Sequence, residues 1–171
     1  MLIKRLLVVL LAILSVEGIS TSPMKRIVVS GANKGIGCAV VDRLVKEHSD
    51  TYVYLGSRDA SRGKAAVEAI TKKNPDAAGR VAVLELDVSD EASIQKAAAQ
   101  VASEGKIYGL VNNAGIAWGN GFEKTLQTNF FGPLKMSEAF LPNFEEGGRI
   151  VNLASASGPN FVARCGVSEH C

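Results

Sequence analysis

Between residues 30 and 37 the chain reads Ser-Gly-Ala-Asn-Lys-Gly-Ile-Gly. Glycine tolerates positive φ and tight turns, and without a Cβ it lets the backbone come close to a bound phosphate. Just upstream, residues 25–30 (KRIVVS) form a short β-branched run that predicts a strand. Just downstream, over 36–47, Val40, Val41, Leu44 and Val45 fall at helical spacing. A glycine-rich turn between a strand and a helix aims free N–H groups and the positive end of the helix dipole at one point, which suits a pyrophosphate. Ser30, Gly31, Asn33, Lys34, Gly35, Ile36 and Gly37 are therefore the first candidates for binding a dinucleotide.

Cations then decide which dinucleotide. An acidic residue at the end of the second strand would bind a ribose 2′-hydroxyl, whereas a basic one accommodates a 2′-phosphate. Arg58 occupies that position, Arg62 follows one helical turn later, and Lys34 sits in the glycine turn. Guanidinium groups match phosphate through their forked donors, so the set points to NADP(H). Asp59 keeps an alternative open, since it would face the ribose if the strand ended one residue later.

The elements that must hold these residues alternate. Strands are expected over 51–57, 80–86, 107–112 and 149–154, and helices over about 60–73, 90–104 and 122–141. Ser89 is the expected N-cap of the third helix, and Asn74-Pro75 closes the second because proline cannot continue a helix. Pro133 and Pro142 leave the limits of the fourth helix open. Strand–helix alternation implies α/β architecture: a Rossmann-like, doubly wound parallel sheet of about five strands, with helices on both faces. One domain over 24–160 is expected, with an unpatterned tail over 161–171 and no repeat or linker.

Composition narrows the remaining functions. Nineteen basic and 17 acidic residues give a net charge of +2 and are interspersed, so no basic block tracks a nucleic-acid backbone. Cys38, Cys165 and Cys171 form no CxxC pair, and neither His48 nor His170 stands at ligand spacing, so no metal site is expected. Cys38, on an apolar stretch, reads as a buried inert thiol. Residues 1–23 are of another kind. Lys4 and Arg5 precede an apolar run over 6–14, followed by small and polar residues, the layout of a secretory signal peptide. The run is well short of the roughly 20 residues a spanning helix needs, so no stable membrane span is expected. The reading is a secreted, ER or ER-derived location, with an extra fold element or an uncleaved anchor as the alternative. Translation from Met24 would instead leave the protein cytoplasmic.

Further motifs follow in order. Asp87-Val88 comes after the third strand and Asn112-Asn113-Ala114-Gly115 after the fourth. Thr128-Asn129-Phe130-Phe131-Gly132 lies in the fourth helix, and Arg149-Ile150-Val151-Asn152-Leu153-Ala154-Ser155 on the fifth strand. With the glycine turn, these resemble the short-chain dehydrogenase/reductase family over residues 25–158. The Asn-Lys-Gly-Ile-Gly turn, Ser-Arg-Asp-x-x-Arg-Gly over 57–63 and Thr-Asn-Phe-Phe-Gly resemble its monomeric NADPH-dependent carbonyl reductases in particular.

The resemblance implies reduction of small-molecule aldehydes and ketones. Asp87 and Val88 would contact adenine, and Asn113, Ala114 and Gly115 would line the cofactor site. Ser155 would orient the carbonyl oxygen, with Ser157 as its rival, and Asn129 would hold a water in a proton relay. The family's Tyr-x-x-x-Lys pair has no counterpart: the last tyrosine is Tyr108 and the last lysine Lys135. Three readings stand. One is a carbonyl reductase given as a truncated sequence, inactive in this form; the second is a non-catalytic nucleotide- or partner-binding product; the third is a chain destabilised by an unpaired edge strand. The oligomeric state stays open.

Overall fold

The computed structural model describes residues 24–117 and 119–155. The expected targeting segment over 1–23, Ser157 and the tail over 161–171 lie outside them. Five strands form one sheet: β1 (Lys25–Val29), β2 (Thr51–Ser57), β3 (Val81–Glu85), β4 (Ile107–Asn112) and β5 (Phe144–Asn152). Their order is β3-β2-β1-β4-β5 and every neighbouring pair is parallel. The chain winds outward from β1 through β2 to β3, then returns to place β4 on the other side of β1. That reversal opens a crevice between the loops that leave β1 and β4, where ligands of open α/β sheets bind.

Period-two alternation along the strands divides the core between two faces. Ile27 and Val29 of β1, with Val53 and Leu55 of β2, pack under α1 (Gly35–Glu47) and α2 (Ala60–Lys73) through Val41, Val45, Ala66 and Ile70. Val28, Tyr54 and Leu110 point the other way, onto α3 (Glu91–Glu104) through Ile94, Ala97, Ala98 and Val101. The one polar atom of the buried Tyr54 is satisfied, its hydroxyl donating to Glu104 Oε2 at 2.8 Å.

Strands 51–57 and 107–112 and helix 60–73 match their expected limits, and Asn74-Pro75 does end α2. Three expectations need correction. Asp90, rather than Ser89, caps α3, accepting from the Ala92 N–H at 3.0 Å. Ser89 is drawn into a tighter local turn, its hydroxyl donating to Asp87 Oδ1 at 2.6 Å. The fourth helix is helical throughout 122–140 but not α-helical throughout: α4 (Phe122–Leu126) widens into a π-helical turn (Gln127–Phe131), and α5 (Gly132–Phe140) follows with Pro133 near its start. Proline has no N–H to give the preceding turn, and the ladder just before it is the widened one, with the Gly132 N–H on Gln127 O. Met136 and Phe140 of α5 then close the core beside α3. Finally, β5 begins at Phe144 rather than 149, because Gly147, at φ +77°, absorbs a register shift between Phe144 and Arg149.

Gly56 shows how closely the glycine turn sits on the sheet. Its carbonyl accepts the Ala32 N–H at 2.8 Å, and a Cβ there would meet Val29 O at 2.7 Å and Leu86 Cδ2 at 3.1 Å. Gly56→Val is therefore expected to destabilise the protein by about 1–3 kcal/mol through overpacking. Urea denaturation followed by circular dichroism measures it, and an unchanged midpoint would mean that the turn is free to move away.

Candidate functional site

The two loops that flank the crevice are joined by one buried hydroxyl. Ser30, 1% exposed at the end of β1, accepts the backbone N–H groups of Asn113 and Ala114 on Oγ, both at 3.0 Å, and donates to Val111 O at 3.3 Å. Asn113 returns the contact: its Nδ2 donates to Ser30 O at 2.9 Å and to Gly31 O at 3.1 Å. The turn is crowded from below. A Cβ on Gly31 would lie 2.8 Å from Ala114 Cα, and one on Gly37 would lie 2.8 Å from Gly31 O and collide with Asn113 Nδ2. Gly31 also has φ +62°, which disfavours any side chain.

Above that joint lies a cleft of about 400 Å³. Gly31, Asn33, Lys34, Gly35, Ile36, Arg58, Arg62, Asp87, Val88, Asn113, Ala114 and Gly115 all line it. Ser30 and Gly37 do not. The Ser30 hydroxyl is spent inside the protein and Gly37 is buried, so both shape the cleft from beneath. Leu86, Ser89, Ile116, Lys124 and Thr128 also line it, beyond the residues singled out from sequence. Ile116 had no chemical signature to find it by; it enters because the loop after β4 turns back over the cleft.

The starts of the three helices that follow β1, β2 and β3 differ. Asp59 and Asp90 cap α2 and α3, but no side chain caps α1, which starts at Gly35 with only extended Lys34 before it. A Cβ on Gly35 would meet nothing within 4 Å, so the approach to those N–H groups is open. An anion at this end would complete the helix. A pyrophosphate fits the space and the donors.

Four cations border the same cleft, Lys34, Arg58 and Arg62 with Lys124 of α4. Lys34 and Arg58 are exposed, and neither has an ion-pair partner among the described residues. Arg62 is held: its Nε donates to Asp59 Oδ2 at 2.9 Å while its backbone N–H donates to Asp59 Oδ1 at 3.0 Å. The Arg62 N–H, and then its guanidinium, keep the Asp59 carboxyl below the usual aspartate range, so the carboxylate survives as pH falls past the point where a free aspartate protonates. Asp87 is likewise engaged locally, with Oδ1 accepting from the Ser89 N–H at 2.9 Å and its own N–H donating to Ser93 Oγ at 2.9 Å.

Asn129 stands in the π-helical turn, with its amide paired to the backbone of Ile116. Oδ1 accepts the Ile116 N–H at 2.9 Å and Nδ2 donates to Ile116 O at 2.7 Å. This pairing brings the fourth helical segment to the loop after β4, and Asn129 Oδ1 lies 3.5 Å from where a Cβ of Gly115 would be. Ser155 follows β5 at the carboxyl end of the sheet, the same end as the glycine turn. The last ladder bond before it runs from Leu153 N–H to Asn112 O at 3.0 Å. Among the described residues no group of three or more His, Cys, Asp or Glu side chains is placed to hold a metal ion. Nor is any helix among them long and apolar enough to cross a membrane. Cys38 is half-buried, and burial, followed by the charge of Asp42, pushes its thiol up, away from a reactive thiolate.

A comparison with known proteins agrees with this geometry. The model of the short chain dehydrogenase family matches residues 25–167. The chain belongs to that family. Among curated relatives it is 36% identical over 160 residues to (+)-neomenthol dehydrogenase of Arabidopsis thaliana, covering 77% of this chain and 53% of the relative. It is 36% identical over 146 residues to carbonyl reductase [NADPH] 1 of Bos taurus, covering 80% and 51%. The chain thus spans about half the length of the curated relatives it matches. Among solved structures, an NADPH-bound carbonyl reductase from chicken fatty liver superposes with a TM-score of 0.66 at 29% identity, over 80% of this chain and 61% of that one. A menthone neomenthol reductase from Mentha piperita gives 0.71 at 26%, over 78% and 61%.

In this short-chain dehydrogenase, Ser30→Ala would leave the Asn113 and Ala114 N–H groups without their partner in a buried joint. A loss of about 1–3 kcal/mol in stability is expected, with Ser30→Thr losing less because it keeps the hydroxyl. Equal denaturation midpoints for Ser30→Ala and the parent would remove the joint from its structural role.

Proposed function

We propose that the chain forms the cofactor-binding part of an NADPH-dependent reductase of aldehydes and ketones. The observation that carries this reading is the uncapped start of α1 opening on a cleft bordered by Lys34, Arg58 and Arg62, with the neighbouring acid, Asp59, already engaged as the cap of α2. A carboxylate free to accept from a ribose 2′-hydroxyl would favour NAD; here the end of β2 offers guanidinium groups instead. The relatives named as NADPH carbonyl reductases support the same choice.

When bound, NADPH supplies the hydride. The protein's own residues orient and exclude. The α1 N–H groups and the backbone of the glycine turn take the pyrophosphate, Lys34, Arg58 and Arg62 the 2′-phosphate, and Asp87 with Val88 the adenine side of the cleft. Ser155, by the resemblance, donates a hydrogen bond to the carbonyl oxygen of the substrate. Asn129, fixed by Ile116 on one side of its amide, retains a second N–H and a second lone pair for a water of the proton relay. The proton itself needs an acid, and no tyrosine or lysine follows Lys135 in the sequence.

Two measurements test this reading. In fluorescence titrations NADPH is expected to bind more tightly than NADH, and Arg58→Asp to cost about 1.5–3 kcal/mol in NADPH binding, the range for a hydrogen bond to a charged group. Equal affinities in the parent protein would overturn the cofactor assignment. A polypeptide of these 171 residues is further expected to bind NADPH without significant turnover of aldehydes or quinones, since a positioned general acid typically contributes about 10²- to 10⁴-fold in rate. NADPH oxidation that is rapid and lost in Ser155→Ala would mean that another residue delivers the proton.

A further inference from the structure

We infer that Asp59 is a positioning residue for cofactor selectivity: its carboxylate holds the Arg62 guanidinium at the mouth of the cleft, so that the preference for a 2′-phosphorylated dinucleotide depends on an acid that itself touches no phosphate. The inference rests on the NADPH reading above and deepens it. By residue type alone, Asp59 points the other way, because an acid after the second strand is the signature of a ribose 2′-hydroxyl contact. The structure turns that carboxylate inward on its own helix.

Both Asp59 oxygens are used within one turn. Oδ1 takes the Arg62 backbone N–H at 3.0 Å and Oδ2 takes Arg62 Nε at 2.9 Å. Because the side chain bonds through Nε, both terminal Nη groups of Arg62 have no partner among the described residues while the guanidinium plane is held. A free arginine samples many rotamers, and a ligand would otherwise have to select one of them. The base of the clamp is itself anchored. Ser57, 1% exposed, donates through Oγ to Asp59 O at 2.7 Å and accepts the Asp59 N–H at 3.3 Å, and the Gly63 N–H donates to Asp59 O at 3.0 Å. Gly63 lets this corner sit against the sheet, since a Cβ there would lie 2.7 Å from Val83 Cγ1.

An opposing effect has to be weighed. The Asp59 charge also repels a phosphate, but its side chain is 39% exposed and that of Arg62 is 53% exposed, so solvent and salt screen part of that repulsion. The Asp59–Arg62 ion pair is screened too, but its hydrogen bond at 2.9 Å and the capping bond at 3.0 Å keep the pair in direct contact. Positioning is therefore expected to outweigh the repulsion at both low and moderate salt.

The test separates capping from positioning. Asp59→Ser keeps one acceptor for the Arg62 N–H, and serine is as good an N-cap as aspartate, so the fold is retained while Arg62 Nε loses its partner. NADPH and NADH dissociation constants are measured by fluorescence titration on the full chain at 0.05 and 0.3 M salt, alone and in an Arg62→Ala background. The expected result is that Asp59→Ser lowers the NADPH-over-NADH preference about threefold or more at both salt concentrations, and that the drop disappears once Arg62 is absent. A merely structural role would weaken both nucleotides alike and leave the ratio unchanged, which overturns the inference. A ratio that rises in Asp59→Ser, or a drop that persists without Arg62, overturns it as well. A parent protein with no NADPH preference would overturn both this inference and the cofactor reading beneath it. A parent that prefers NADPH, with an unaltered ratio in Asp59→Ser, removes only the inference.

Discussion

Ser30 Oγ lies where two separately folded pieces of chain have to agree. The glycine turn is built by β1 and α1, and the Asn113 loop by β4, more than 80 residues later. Both leave the sheet at adjacent strands, and their exposed backbone groups are what a dinucleotide can use. A loop that presents N–H groups to a ligand cannot also satisfy them all from within, so its underside must be tied down by something else. The hydroxyl does this, taking two N–H groups and giving one proton to Val111 O. The close approach of Gly31 to Ala114, which no side chain would allow, follows from the same joint.

The electrostatics of the cleft depend on that geometry. Two helices of the sheet are capped by their own aspartates and are thus complete, while α1 is left open at the single place where the strand order reverses. Positive partial charge from the helix end and full charges from Lys34, Arg58 and Arg62 add in one region. A dinucleotide with a 2′-phosphate carries its negative charge at just two points, the pyrophosphate and the ribose phosphate. The division of the cleft into an uncapped helix and a cationic corner corresponds to that distribution.

The other edge of the sheet shows a different balance. Among the described residues β5 pairs with β4 alone; its Ile150 and Val151 are 37% and 49% exposed, and Leu153 just after it is 41% exposed. Apolar strand residues at such exposure lack the cover that α1, α2, α3 and α5 give to the first four strands. Asn112 and Asn152 still tie the ends of β4 and β5 together, Asn112 Nδ2 donating to Asn152 Oδ1 at 2.8 Å, and that contact leads the chain toward Ser155.

Alternation of β-branched runs with helical spacing, and glycines between the first strand and helix, were enough by themselves to state a doubly wound parallel sheet and the turn that a phosphate would approach. Those signals are local: they come from side-chain period and from backbone freedom at single positions. The same locality explains the limits. Ser30 read as a ligand contact because its position adjoins the turn, and only the packing of β4 against β1 consumed its hydroxyl. Asp59 was ambiguous because strand ends shift by a residue; the start of α2 at Ala60 decided that it would cap the helix and hold Arg62. The fourth helix read as α-helical throughout because its apolar period survives a π turn, whereas the pairing of Asn129 with the Ile116 backbone is long-range and leaves no mark on local spacing. Residue types set which groups were available for chemistry, and tertiary contacts decided which of them the protein had already used, because a hydrogen-bonding group paired in the fold is no longer offered to a ligand.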